Sequence, residues 1–336
     1  MLAVNNAGRA REVYSQLEHA AWHGLTAADV VFPMFLFASG TALGVRDGRM
    51  PPWPRALRRA GVLVGLGLVL NLVRSNGALA DLRVMGVLQR IGLAWFGAWL
   101  VLHLPRWAQV LLAAVLLLGT WAALSWFAAP GQPPGSLTPE ANLAGWIDRV
   151  VLGRRHVYLG GPFDPEGLLG TLPSIVSVLL GAWAGRWAGA AQRRARVIDL
   201  SLAAAVLLGL GAWWSVVLPL NKALWTGSFV LVAGGWSLLA FAALVALVDV
   251  GGQRWLGWPL EVLGRNALVV YVGAELARYL LPRVTVAVGG ATGDPYAWLD
   301  ARLAPTLGVL GVPVAVLACC WIVAALLHWR GWTVRV

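Results

Sequence analysis

The chain has 336 residues, of which 59% are apolar and only 12% are charged, and its mean hydropathy is +0.71. That balance excludes a water-soluble globular domain and describes a polytopic membrane protein. The net charge of +11, with every basic residue except Lys222 an arginine, would point to nucleic acid in a soluble chain. In a bilayer protein it is the arginine bias of cytoplasmic loops, so no nucleic-acid partner is expected.

The expected fold class is all-α, a polytopic transmembrane helix bundle of about nine full spans plus a partial first helix, forming a single domain over 1–336. Met1 to Val4 is an apolar stub too short to span, followed by the polar stretch Asn5 to Glu18. Either the chain starts outside the bilayer or a first helix is missing. No basic region precedes a 7 to 15 residue apolar stretch, so no signal peptide is expected. A hydrocarbon core of about 30 Å needs about 20 apolar residues per helix. That rule places spans at 27–45, 57–73, 84–104, 107–127, 168–187, 199–218, 229–248, 265–281 and 307–327.

The loop holding Arg46, Arg49, Arg55, Arg58 and Arg59 is the densest basic cluster and should be cytoplasmic. Every second loop after it then lies on the same side: Arg106, the run Arg193, Arg194 and Arg196, Arg254, and a cytoplasmic C-terminus with Arg330 and Arg335. Residues 1–26, 128–167, 219–228 and 282–306 face outward. Arg149, Arg154, Arg155 and Lys222 stand on that outer side against the bias, which suggests an anionic ligand there. The Pro/Gly-rich stretch within 128–167 reads as an ordered outer loop or short helix, and no fixed-period repeat is present.

Polar residues inside or at the mouths of spans are costly and default to functional candidates. In HAAWHGLTAADVVFPMF, His19 and His23 flank Trp22 before a helix, and Asp29 lies about one turn into it. A histidine can act as base or nucleophile near neutral pH. Trp22 between two histidines is also ordinary interfacial composition, and Asp29 also suits a helix N-terminus. In LRVMGVLQRIGL, Arg83 flanks a span, while Gln89 and Arg90 enter it too deeply to snorkel and should face the protein interior, by themselves a helix-to-helix hydrogen bond or ion pair.

RRHVYLGGPFDPEGLLGTLPSI sets His156, Asp164 and Glu166 before the next span, where acids also suit a helix start. LPLNKALWTGSFVL packs Asn221, Lys222, Trp225, Thr226 and Ser228 into a tight outer turn. LEVLGRNALVVYVGAE places Arg265 and Asn266 at a cytoplasmic mouth, with Tyr271 and Glu275 further in; Arg265 suits a phosphate ligand and anionic lipid equally. Glycine-rich stretches read as close helix packing. No GxGxxG, Walker A, GxSxG or zinc-ligand pair is present. Cys319 and Cys320, adjacent in an apolar run, read as packing residues, so no metal is expected.

In this order, VNN with Gly8, HAAWHGLTAADVVFPMFLF, GVLQRIGL, FDPEGLLGTLPSIVSVLLG, LNKALWTGSFVL and GRNALVVY resemble the heparan-alpha-glucosaminide N-acetyltransferase-like membrane acyltransferases over essentially the whole chain. The resemblance implies a bundle of about eleven spans that takes an acetyl group from cytosolic acetyl-CoA and delivers it across the membrane to an amino sugar or glycan. The family histidine falls on His19, as base or transient acyl acceptor. Asn5 would orient it or hold the carbonyl oxygen, and Asp29 would position the site. The acyl donor would be held by Arg265, Asn266, Gln89 and Arg90. The acceptor would be held by His23, Trp22, Glu166, Asp164, Asn221, Lys222 and Trp225. Family members are often homodimers.

Two departures qualify what carries over. Met1 corresponds to the last part of the family's first helix, which suggests a start at an internal methionine. His23 stands where animal relatives tend to have Asn, so the acceptor need not be the same sugar. Arginine and alanine usage suggests a bacterial chain in the cytoplasmic (inner) membrane. The competing reading is a transporter or flippase of a glycan or lipid-linked solute, motivated by intramembrane Gln89, Arg90 and Glu275 and by Gly-rich helices. A third is a structural subunit without activity.

Overall fold

A computed structural model describes residues 14–46, 49–189, 193–288 and 291–334. The expected partial first helix and Asn5 lie outside the described residues. The structure divides into two compact units. One comprises Ala20–Leu25 and Asp29–Gly252; the other holds the residues from Gln253 onward, the segment ending at His19, and Thr26–Ala28.

The larger unit is a helix bundle. Its helices are α1 Ala27–Gly44, α2 Trp53–Arg74, α3 Val87–Val101, α4 Arg106–Trp126, α5 Leu143–Val151, α6 Leu168–Ala188, α7 Arg193–Trp214 and α8 Gly227–Leu244. A π-helical turn, Val245–Val250, extends α8. Prolines stand at the N-caps of α2 and α4, where the missing N–H costs nothing and the fixed φ suits a helix start. Asn142 caps α5 by accepting the Gly145 N–H at 2.7 Å.

Helices α1 and α6 meet backbone to backbone. Gly40 and Gly44 face the carbonyls of Val178 and Ala182, while Gly181 and Gly185 face those of Phe37 and Thr41, so any Cβ there would overlap backbone. This is the small-xxx-small packing that membrane helices use when hydrophobicity cannot drive them together. Around that seam Phe37, Ala184, Leu200, Ala204, Leu238 and Ala242 form a buried cluster. On α7 the apolar residues Ile198, Leu202, Val206 and Leu210 recur every fourth position and stay exposed, a stripe suited to lipid.

The second unit holds α9 Arg254–Arg265, α10 Ala267–Leu280, a hairpin of β1 Val286–Val288 and β2 Ala291–Gly293, α11 Pro295–Leu307 and α12 Gly311–Trp329. The strands are antiparallel, pairing Val286 with Gly293 and Val288 with Ala291. Asp294 caps α11 through the N–H groups of Tyr296 and Ala297. Val262, Val270 and Ala324 form the core there, with Cys320 packed against it.

Among the described residues seven helices are long and apolar enough to cross a membrane: Ala27–Gly44, Trp53–Arg74, Arg106–Trp126, Leu168–Ala188, Ala195–Trp214, Gly227–Val250 and Pro295–Trp329. The spans expected at 84–104 and 265–281 form shorter helices of 15 and 14 residues. In the first case residues 82–86 are held extended, because Asn71 Nδ2 donates to the carbonyls of Arg83 and Met85 at 2.8 and 3.0 Å. The helix expected at 199–218 runs instead from Arg193 to Trp214. Part of the stretch expected as the outer loop 282–306 is the helix α11, which passes through a 3₁₀ turn at Gly308–Leu310 into α12.

Candidate functional site

Of the stretches expected on the outer side, 20–25, 128–167 and 219–228 meet at one end of the larger unit. Gly24 N–H donates to Leu220 O at 2.8 Å, Trp22 Nε1 to Leu137 O at 2.7 Å, and Val84 N–H to His156 O at 3.0 Å. The turn 219–226 is built around Asn221. Its side chain donates to Trp22 O at 3.0 Å, accepts the Leu224 N–H at 2.8 Å, and lies 3.3 Å from His23 Nδ1. Thr226 Oγ1 accepts the Asn221 N–H at 3.1 Å and Ser228 Oγ donates to Leu218 O at 2.6 Å. Trp225 adopts φ +53°, is fully buried between the edges of Phe32 and Phe229, and donates to Ser177 Oγ at 3.3 Å.

This turn carries Lys222 against the start of α1, with its ammonium 3.4 Å from Asp29 Oδ1. Asp29 is 2% exposed. Its other oxygen accepts the N–H of Ala20, the residue following His19, at 3.0 Å. Burial pulls the Lys222 ammonium below its ordinary value, while the charges of Asp29 and Glu166 pull the other way. Partial burial likewise lowers His23. His19 itself is exposed. Within the smaller unit Thr26 Oγ1 donates to Glu18 O at 2.6 Å and Ala27 N–H donates to Gln16 Oε1 at 3.1 Å.

A second charged group lies at the same end. Arg83 forms ion pairs with both Asp164 and Glu166, and Asp164 also accepts the N–H groups of Tyr158 and Glu166 at 3.0 and 2.9 Å. Burial works against the Arg83 charge, but Glu166 and Asp164 outweigh it and hold the guanidinium more firmly protonated than usual. Arg74 and Arg83 each place a guanidinium over the Tyr158 ring, 4.6 and 4.7 Å from its centroid.

Arg90 is completely buried, as its depth in the span required. Its guanidinium lies 4.9 Å from the Trp225 ring centroid and donates from Nη2 to Gly167 O at 3.0 Å. Its Nε and Nη1 have no hydrogen-bond partner, so Arg90 retains donors for an anion or a carbonyl oxygen. Gly170 makes room for it, since a Cβ there would come within 2.8 Å of Nη2. Gln89 turns away, donating to Val84 O at 3.1 Å and filling the space beside Gly67.

The structure therefore brings together Trp22, His23, Asp29, Arg90, Asp164, Glu166, Asn221, Lys222 and Trp225. Arg265 and Asn266 belong to the second unit. Arg265 is exposed and pairs with Glu261 at 2.5 Å, and Asn266 bonds the C-terminal strand of chain through Trp332 O and Val334 N–H at 3.0 and 3.1 Å. Sequence reasoning missed Asp148. It accepts the Leu168 N–H at 2.8 Å at the start of α6, and burial raises it to about 6. A signal existed: Ala144 and Asp148 share one face of α5, and an acid on the buried face of so short a helix needs a partner. Among the described residues no group of three His, Cys, Asp or Glu could hold a metal.

The opposite end of this unit has a different character. Arg106, Arg186 and Arg196, with Val110, Trp183 and Trp187, line a cavity of about 460 Å³. Gln109 Oε1 accepts from Trp183 Nε1 at 2.9 Å and from Arg186 at 3.5 Å, and the Arg196 guanidinium lies 4.5 Å from the Trp187 centroid. Long helices separate this cavity from the Lys222 end.

A family profile described as heparan-alpha-glucosaminide N-acetyltransferase, catalytic, matches residues 11–217. Two curated relatives carry the name heparan-alpha-glucosaminide N-acetyltransferase. The Homo sapiens protein is 31% identical over 84% of this chain and 51% of its own length. The Mus musculus protein is 29% identical over 84% of this chain and 52% of its own. The chain thus spans about half the length of the curated relatives it matches.

Proposed function

This chain belongs to the heparan-alpha-glucosaminide N-acetyltransferase catalytic family, and on that premise we propose that it is a membrane acyltransferase moving an acetyl group from acetyl-CoA to the amine of a sugar or glycan. In the transfer the thioester C–S bond breaks, an amide C–N bond forms, the amine gives up a proton, and the coenzyme leaves as the thiol. His19 takes the amine proton as general base, or first accepts the acetyl group on its ring and then passes it on. Asp29 positions His19 by holding the N–H of the following residue, and Asn5 orients the ring or holds the carbonyl oxygen. Lys222 pairs with Asp29 and holds it in place. Trp22, His23, Asp164 and Glu166 form the acceptor side, with Asn221 and Trp225 holding its turn.

The observation that carries this reading is buried Asp29, bound at once to Lys222 and to the peptide after His19, inside the stretch that the family profile matches. Arg90, with two unused donors, suits the developing negative charge or the acyl carbonyl. The cavity lined by Arg106, Arg186 and Arg196 fits the phosphates of acetyl-CoA by charge, and its electropositive potential favours their approach. On this reading the end with the arginine-rich loops is cytoplasmic and the Lys222 end faces outside, in a bacterial inner membrane. Counting the short helices α3 and α10 as crossings gives nine, with the C-terminus cytoplasmic.

Purified chain incubated with radiolabelled acetyl-CoA and glucosamine should form labelled N-acetyl product. A folded His19→Ala variant should lose about 10²- to 10⁴-fold in kcat/KM. Full activity in that variant would remove His19 from the reaction. Movement of a labelled solute with no consumption of acetyl-CoA would favour a transporter.

A further inference from the structure

We propose that the cavity between the end of α2 and residues 154–160 is a subsite for an anionic substituent of the acceptor, a carboxylate, sulfate or phosphate. The inference rests on the amino-sugar reading only for the nature of the rest of the ligand. The cavity, of about 420 Å³, is lined by Arg74, Arg83, Arg154 and Arg155 with Asp81, and by Asn71, Ser75 and the chain from Val157 to Gly160.

The charges around it do not cancel. Arg83 is held between Asp164 and Glu166, three formal charges that sum to one negative. Among the described residues no carboxylate forms an ion pair with Arg74, Arg154 or Arg155. Arg74, Arg154 and Arg155 therefore outnumber Asp81 and that surplus negative charge by one. Guanidinium groups match planar or tetrahedral oxyanions bidentately and are weakly hydrated, so this residue type suits anion recognition better than lysine does.

The walls are held in place. His156 Nδ1 bonds Leu82 O at 2.7 Å, Val84 N–H donates to His156 O, and Asn71 holds the carbonyls of Arg83 and Met85. Tyr158 is fixed between the guanidiniums of Arg74 and Arg83, and its N–H donates to Asp164. The chain then turns through Leu159 at φ +54° and Gly160 at φ +62°. A non-glycine residue in that region costs on the order of 1 kcal/mol.

Location supplies a separate argument. Arg154 and Arg155 lie in a loop that meets the Lys222 end, away from the arginine-rich loops, so the general topological bias does not explain them. Arg83 contributes to the cavity on one side and holds the Asp164 and Glu166 carboxylates on the other. An acceptor whose anion enters the cavity would thus be anchored beside the charged cluster that the chemistry uses. That arrangement turns remote binding energy into orientation of the reacting amine.

The test compares glucosamine 6-sulfate with glucosamine, read as quenching of tryptophan fluorescence on titration into purified chain. The comparison is repeated in an Arg154→Gln/Arg155→Gln double variant, whose altered side chains are exposed and break no ion pair. Wild-type chain should bind the sulfated sugar about tenfold more tightly, an advantage that collapses in the double variant and weakens at high salt. In acetylation assays the double variant should lower kcat/KM for the sulfated sugar, with part of the loss in kcat, and leave kcat/KM for glucosamine unchanged. Equal binding of the two sugars, or an advantage undiminished in the double variant, overturns the subsite. So does a variant that loses only its binding to phosphatidylglycerol nanodiscs, which would make the cavity a lipid headgroup site. Binding needs no turnover, so a chain that prefers the sulfated sugar yet acetylates nothing would keep the subsite and sink the acyltransferase reading.

Discussion

Two charged groups at opposite ends of the larger unit use charge in opposite ways. At the Lys222 end cations and carboxylates interlock: Asp29 with Lys222, and Arg83 with Asp164 and Glu166. At the other end Arg106, Arg186 and Arg196 line a cavity beside tryptophans. Buried ion pairs gain little net stability because desolvation offsets their attraction, yet breaking one leaves an uncompensated charge. The interlocked end is therefore a rigid arrangement in which each charge specifies its neighbour's position. The arginine end leaves positive potential to be satisfied from outside, which suits a soluble polyanion that must come and go.

The sharpest way to break this contrast is Asp164→Asn. It leaves Arg83 with Glu166 as its one carboxylate partner and sets an amide donor against the Tyr158 or Glu166 N–H. Stability should fall by about 3–5 kcal/mol, read as thermal unfolding in detergent. A loss below about 1 kcal/mol would mean that the interlocking is superficial.

Asp148 gives a pH-dependent test of the same end. Its folded-state value, about 6, lies above the ordinary aspartate value of 3.8, so the native chain binds the extra proton between them. Its contribution is complete below pH 4 and is lost as pH rises through about 6. Wild-type stability should decline across that window by about 2–3 kcal/mol relative to Asp148→Asn, whose profile should lack this component.

Between the ends, Gly181→Ala in the α1/α6 seam should cost about 1–3 kcal/mol, because its Cβ meets the Phe37 carbonyl. An unchanged melting temperature would show that the two helices can separate without consequence. The smallest expected effect is Arg106→Gln. It breaks no ion pair among the described residues and should leave stability within about 0.5 kcal/mol, while weakening the binding of acetyl-CoA measured by equilibrium dialysis. A large loss of stability would show that the arginine end is structural after all.

Much of the bundle was legible because spans obey a length rule and an apolar rule that need no tertiary information. The reading of glycine-rich stretches as close helix packing holds at Gly40, Gly44, Gly181 and Gly185, and the depth of Arg90 in its span required the burial it has. The ends of helices were less legible. Asn71 holds residues 82–86 extended through bonds that sequence pattern does not record, and α11 occupies a stretch whose proline and mixed polarity read as loop. The candidate site was legible as separate strings, but their mutual contacts were not.

By itself the sequence determined that the chain is a membrane helix bundle and which costly polar residues demand partners, because burial in lipid penalises each such residue independently of its neighbours. Only the tertiary structure decided the partnerships: Lys222 with Asp29 rather than Glu166, Asp148 beneath α6, and Arg154 and Arg155 around one cavity. Those choices depend on distances between residues far apart in the chain, and Coulomb energy in a poorly solvated interior changes steeply over a few ångströms.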